Sequence, residues 1–322
     1  MRAIFICLLL GLFGPACAQT AAEIYPGRPL RIIVTVPPGG AADFIARTVG
    51  AKLADSLGQQ VLIENRAGAS GTIAADAVAK AVPDGYTLLQ NSITTHGVGP
   101  LIFSKLPYDS FRDLVPITLL ARLPLIMVVN AEVPAGSVRE FVALTKSKPG
   151  AFSFASSGNG GAPHLTGELF KSVTGADLLH IPYKGSGPAV TDLVAGRVQV
   201  MFDAAPSLLP NVKAGKLRAL AAASPQRNRL LPEVPTFAEL GYPGIEVSLW
   251  YGVMAPAGTP KAIIERLNGE IVKILNLPDI RERFASQGAE AAGGTPEQFA
   301  AFMREEISRW EPVVRKAGVK AD

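Results

Sequence analysis

Apolar and polar positions alternate along this chain in two periods, one near two residues and one near four. Leu30 to Val36 is a β-branched apolar run ending at Pro37-Pro38-Gly39-Gly40, which predicts a strand. From Asp43 the period lengthens, and Ile45, Val49, Leu53 and Leu57 line one helical face that Gly58 closes. Val61 to Glu64 predicts a second strand, Arg66 to Gly71 a glycine-rich loop and Ile73 to Ala81 a short helix. Tyr86 to Leu89, after the turn residues Pro83-Asp84-Gly85, predicts a third strand. The rhythm resumes with a strand at Phe152 to Ala155 and a helix at His164 to Val173, stopped at Gly175. His180 to Tyr183 is the next strand; Pro188 suits the first turn of a helix that stops at Gly196, and Val198 to Asp203 is strand again. Toward the C-terminus, Ile264, Leu267, Ile271 and Leu275 form one stripe. Thr295-Pro296-Glu297-Gln298 spells a capping box ahead of Phe299, Met303, Ile307 and Trp310, in a helix that Pro312 should kink or end.

Strands alternating with helices are the pattern of βαβ units, so the fold class expected is α/β with mainly parallel sheets flanked by helices. Two apolar stretches, Ile117 to Val129 and Val247 to Ala255, are long enough to run from one folding unit into another. Two crossings divide the chain into one lobe of residues 19–123 plus 249–322 and a second of residues 124–248. A cleft between such lobes is a common ligand site. A length of 322 residues suits two domains, and 48% hydrophobic with 18% charged residues excludes a disordered chain. The formal charge of +4 is spread without a Lys/Arg cluster, so no nucleic-acid partner is expected, and the chain is taken as a monomer.

The first eighteen residues bear on the compartment. Arg2 precedes an apolar run from Ala3 to Phe13, too short to span a bilayer, and Ala16-Cys17-Ala18 supplies a small-x-small cleavage pattern. Residues 1–18 are therefore expected to be a signal peptide cut near Ala18, sending the mature chain to the periplasm. Lipidation of Cys17 is the competing reading, although Gly14 and Pro15 stand where an aliphatic and a small residue are usual. Cys7 and Cys17 are the two cysteines, so a chain cut after Ala18 has no disulfide, thiolate or Cys-ligated metal.

There is no G-x-x-x-x-G-K-S/T, no G-x-G-x-x-G after a strand, no H-E-x-x-H and no G-x-S-x-G. His96, His164 and His180 fall singly in different segments, so neither a metal nor a cofactor is expected. What remains is four small, polar, glycine-rich loops, each at the carboxyl end of a predicted strand: Pro37–Asp43, Asn91–His96, Ser156–His164 and Lys184–Pro188. Ligands sit at such ends in open α/β sheets. A helix start leaves backbone N–H groups unpaired and carries about half a positive charge, so it suits an anion without an arginine clamp.

Several segments then become recognisable. They are Tyr25-Pro26-Gly27-Arg28-Pro29, Pro37-Pro38-Gly39-Gly40 with Asp43, Glu64-Asn65-Arg66-Ala67-Gly68 and Pro83-Asp84-Gly85-Tyr86. With them go Ser157-Gly158-Asn159-Gly160 with His164, Pro182-Tyr183-Lys184-Gly185-Ser186, Met201-Phe202-Asp203 and Gly293-Gly294-Thr295-Pro296. In this order, over essentially the whole mature chain, they resemble the Bug family, the extracytoplasmic solute receptors of tripartite tricarboxylate transporters. The resemblance implies a two-lobed type II periplasmic binding protein. It would take a small carboxylate into its cleft and deliver it to a membrane permease of one large and one small subunit. It also implies ligand contacts from Gly39, Gly40, Ala41 and Asp43, from Thr94 and Thr95, and from Ser157, Gly158, Asn159, Gly160 and Gly161 with His164 behind them. Lys184, Gly185 and Ser186 would form the next loop, and Asp203 would face the distal end of the ligand. The family usually has an aromatic before the double proline and a hydroxyl residue before the aspartate, where this chain has Val36 and Ala42.

Simpler roles compete for several of these side chains. Asp43 equally fits a helix cap, His164 a loop-orienting residue and Lys184 a solvated surface charge. Asp203, at a strand end after a hydrophobic run, is the better candidate for contact. A sensor that presents ligand to a signalling partner would look the same, and an exported hydrolase using Ser157 or Ser186 with His164 is a further alternative. No nucleophile elbow or recognisable triad supports that last reading.

Overall fold

A computed structural model describes residues 25–320 of the chain. The expected signal peptide therefore lies outside the described residues. The chain opens with β1 (Leu30–Val34), α1 (Ala41–Leu57), β2 (Val61–Asn65), α2 (Thr72–Ala79) and β3 (Thr87–Ser92). A π-helical turn (Ile93–Val98) and a short α3 (Gly99–Ile102) lead into β4 (Leu114–Asn130). Next come α4 (Val138–Ser147), β5 (Ser153–Ser156), α5 (Ala162–Thr174), β6 (Leu179–Pro182), α6 (Ser186–Val194) and β7 (Val200–Ala204). After them follow α7 (Ala205–Lys213), β8 (Leu217–Ala222), β9 (Ser248–Pro256), α8 (Lys261–Leu275), α9 (Pro278–Ala285), β10 (Glu290–Gly293) and α10 (Pro296–Ala317).

The α/β alternation builds two sheets that share one strand. In the first, β1 pairs in parallel with β2 and β3, and β9 lies antiparallel between β3 and β4, with β10 on the other side of β4. In the second, β5 pairs in parallel with β6 and β7, while β7 and β8 flank β4 antiparallel. Each sheet thus has a parallel trio, and the crossing strands add antiparallel pairs. β4 changes partners along its length: its pairing with β9 ends at Pro124↔Ser248, and its pairing with β7 begins at Leu125↔Ala204. Leu114–Asn130 is nearly continuously apolar and buried, as a strand covered on both faces must be.

The helical stripes bury as their periods require. Ile45, Val49 and Leu53 are fully buried, and Gly58 ends α1 in the left-handed conformation. Aromatic rings fill the main core that runs along both sheets: Phe170 lies 5.4 Å from Phe202 and 6.1 Å from Phe237, and Trp250 meets Phe299 edge-on at 5.9 Å. Two local expectations are corrected. Pro312 does not end α10, which runs on to Ala317; Pro312 and Ser308, whose carbonyl loses its amide partner, both lie on the exposed face, where water can replace the bond. Ile307 is only partly buried, and Glu306 takes the inward position, with Oε2 accepting from Trp250 Nε1 at 2.9 Å and Trp310 Nε1 at 3.3 Å.

Candidate functional site

Strand ends from both sheets face one cavity of about 690 Å³. Gly39, Gly40 and Ala41 enter it from the β1–α1 turn and Thr94 from the π-helical turn. Ser157, Gly158, Asn159 and Gly161 enter from the β5–α5 loop, Ser186 from the start of α6 and Asp203 from the end of β7. Four helices, α1, α5, α6 and α7, begin at this wall. Their N-cap residues are Gly40, Gly161, Gly185 and Ala204, and none makes a side-chain cap. The first backbone N–H groups of these helices have no intrahelical partner, and the helix dipole makes each start weakly positive. A Cβ on Gly40 would meet nothing within 4 Å, and one on Gly161 would find only ordinary contacts at 3.7 and 3.8 Å. Both have negative φ, so neither glycine is demanded by backbone strain; each leaves open space next to amide donors. No Lys, Arg or His is among the lining residues.

Six expected contacts lie behind this wall or beside it. Asp43 is buried; its Oδ2 accepts from the Gly39 N–H at 3.1 Å and from Arg47 Nε at 3.0 Å, so it fixes the β1–α1 turn. The Arg47 hydrogen bond holds its carboxyl below the usual range, against the opposing effect of burial. Thr95 is buried and closes a capping box with Ser92. Gly160 turns at φ +70° with its missing Cβ against Ile102, and it donates its N–H to His164 Nδ1 at 3.0 Å. That amide is thus spent inside the loop, where the sequence suggested it would meet ligand. His164 stacks face to face on His180 at 3.7 Å, and Phe154 lies against the pair, 4.7 Å from His180 and 6.2 Å from His164. Desolvation lowers His164 to about 4 and His180 to about 3, so both rings are neutral props for the loop. Gly185 ties its N–H to the Ser157 carbonyl at 3.0 Å, and Lys184 is exposed and outside the lining.

The serine that meets an imidazole among the described residues is neither Ser157 nor Ser186. Ser156 Oγ lies 2.7 Å from His180 Nε2 but is fully buried and bonded to the Gly158 carbonyl at 3.0 Å, locked into the loop rather than presented to the cavity. A nucleophile must reach its substrate, and this one does not.

Beyond Val36, the sequence pattern missed the apolar half of the wall: Phe44, Ile45, Ile93, Leu123 and Leu249, with Tyr251 near Asp203. Val36 lines the cavity, whereas Ala42 is buried beneath it, its carbonyl accepting from Gln90 Nε2 at 3.0 Å. Of the two departures noted in the sequence, only the lost aromatic therefore reshapes the wall.

A two-lobed α/β chain with its cavity at the strand ends is the architecture of a periplasmic binding protein. The model of the tripartite tricarboxylate transporter family receptor matches residues 45–319, and the chain belongs to this family. It is similar to Protein BugT of Bordetella pertussis, with 44% identity over 304 residues covering 94% of this chain and 93% of that protein. Among solved structures, an R. palustris protein solved with adipate superposes at TM-score 0.84 with 36% identity, covering 92% of this chain and 99% of the other. The periplasmic binding protein BugD superposes at 0.80 with 34% identity, covering 92% and 99%. Bug kinship and the two-lobed fold expected from the sequence are thus both found, and the family is one of periplasmic solute-binding receptors.

Proposed function

We propose that this chain captures a small carboxylate between its lobes and delivers it to a tripartite tricarboxylate-type membrane permease, without chemical change to the cargo. One observation carries the reading: four uncapped helix starts converge on one cavity whose lining holds no cation. Backbone N–H groups and helix dipoles then hold the anion, as at other helix N-termini. The adipate held by the R. palustris relative favours an organic acid as cargo.

In this reading the lobes divide where β4 changes partners, near Leu123/Pro124 and Ser248/Leu249. The ligand contacts are Gly39, Gly40, Ala41, Thr94, Ser157, Gly158, Asn159, Gly161, Ser186 and Asp203. Asp43, Thr95, Gly160, His164 and Gly185 shape the loops, and Lys184 stays in solvent. Residues 1–18 direct export and are removed near Ala18.

The test is mass spectrometry of small molecules released from freshly purified, denatured protein, followed by melting with the acids found. At about a hundredfold excess over Kd a true ligand stabilises by roughly 2.7 kcal/mol. The acid should be recovered unaltered after long incubation. Normal folding with no melting shift for any carboxylate would sink the reading, and a converted acid would make the chain an enzyme.

A further inference from the structure

Asp203 is the charged side chain in the cavity wall, and it is 3% exposed. Its Oδ1 accepts from the Ala204 N–H at 2.8 Å, while its buried Oδ2 has no partner among the described residues. Ser186 and Ser207 stand near enough to lower it, but the Ser207 hydroxyl is spent on the Ala204 carbonyl at 2.8 Å and the Ser186 hydroxyl, on the cavity wall, makes no well-formed hydrogen bond to Oδ2. Burial holds the acid above the usual carboxylate range, and Tyr251 on β9 is also pushed up, first by its own burial and then by the nearby Asp203 charge. The other ionisable groups on elements packed against β7 are engaged elsewhere or lie off the cavity. Lys171 and Glu168 on α5 pair at 2.9 Å, Asp192 on α6 pairs with Arg197, and Arg122 on β4 lies over the Phe302 ring. His164 on α5 bonds Gly160, and Lys213 on α7 does not line the cavity. Among the described residues no cation on the cavity wall faces Asp203, and a buried acceptor that makes no hydrogen bond is unfavourable.

We propose that Asp203 selects the part of the cargo that meets it by requiring a proton there. The group it meets is either a hydroxyl or ammonium that donates to Oδ2, or a carboxylate that binds together with one proton taken from solvent. Two carboxylates within hydrogen-bond distance in a buried site do not both ionise, so the added proton sits between Oδ2 and the cargo oxygen. This rests on the carboxylate-receptor reading and deepens it: a monocarboxylate with a donor there binds independently of pH, and a dicarboxylate does not.

Calorimetry on the mature chain tests this with paired probes, adipate against 6-hydroxyhexanoate and succinate against 4-hydroxybutanoate. From about pH 6.5 to about pH 8.5 the dicarboxylate should weaken by about tenfold per pH unit, with the heat in different buffers reporting uptake of one proton. The hydroxy acid should hold its affinity over the same range. Asp203→Asn, which keeps the shape and offers an amide donor, should flatten the dicarboxylate profile and tighten its binding at the alkaline end. Melting of the empty variant checks its fold, and the wild-type series needs no variant. Dicarboxylate binding that is flat with pH and takes up no proton overturns this inference while leaving the receptor reading intact. An Asp203→Asn profile as steep as wild type also overturns it. If no acid in either pair binds at any pH, the carboxylate-receptor reading falls and takes this one with it.

Discussion

Gly161 and Lys184 separate the two ways a protein can hold an anion. Gly161 caps α5 beside amide donors, with room for a side chain; Lys184 carries a full charge but lies exposed outside the lining. Gly161→Asp would put a carboxylate where the cargo's own belongs. Affinity should fall at least a hundredfold, about 2.7 kcal/mol, with little change in the melting temperature of the empty protein. Lys184→Ala should cost under about fivefold, because an exposed charge is screened. Calorimetry on both decides, and the opposite order would mean that a salt bridge holds the anion. At this scale the sequence spoke clearly about which loops form the wall and poorly about which atoms face inward. Asp43, Thr95 and His164 sit in the right loops but turn to the backbone, because a tight loop must satisfy its own amides first. Phe44, Ile93 and Leu249 were invisible for the converse reason: an apolar residue at a strand or helix position reads as core whether it touches protein or cargo.

Among the elements, β9 and α10 are joined by a buried polar link rather than by apolar packing alone. Glu306 receives both indole N–H groups, from Trp250 and Trp310, and Arg309 lies 3.6 Å from its other oxygen. Glu306→Leu would strand two buried donors and should destabilise by about 2–4 kcal/mol; Glu306→Gln keeps one acceptor and should lose about half as much. Urea unfolding with an unchanged m-value is the measurement, and an equal loss in both variants would show that packing, not the hydrogen bonds, matters. The stripe Phe299, Met303 and Trp310 was legible in the sequence, but a glutamate in the next inward position was not, since its nearer partner, Trp250 at 2.9 Å, comes from a strand more than fifty residues away. The Thr295–Gln298 box was legible because capping is local. β4 was legible as an apolar crossing, while its exchange of partners depends on which strands arrive beside it.

The whole molecule keeps three buried or half-buried neutral histidines, and this sets its response to acid. Burial lowers His96 to about 3, His164 to about 4 and His180 to about 3, below the ordinary 6.5. The unfolded chain therefore takes up protons first, and stability that is intact above about pH 6.5 is lost as pH falls toward the folded values. At about pH 5.5 each histidine should account for roughly 1.4 kcal/mol of loss, so the melting temperature should drop steadily below neutrality. His180→Gln should make that slope shallower; an unchanged slope would mean the ring is not the proton acceptor. The last turn of α10 and the residues after it also reach across the molecule. Lys316 Nζ donates to Ser172 on α5 at 3.0 Å, and Asn159 of the β5–α5 loop donates to the Lys320 carbonyl at 2.7 Å. Two adjacent strands alone would let the halves swing and twist; a third tie placed off that axis leaves a single swing, as a stay does on a gate. These two contacts thus limit how many shapes the empty receptor can adopt.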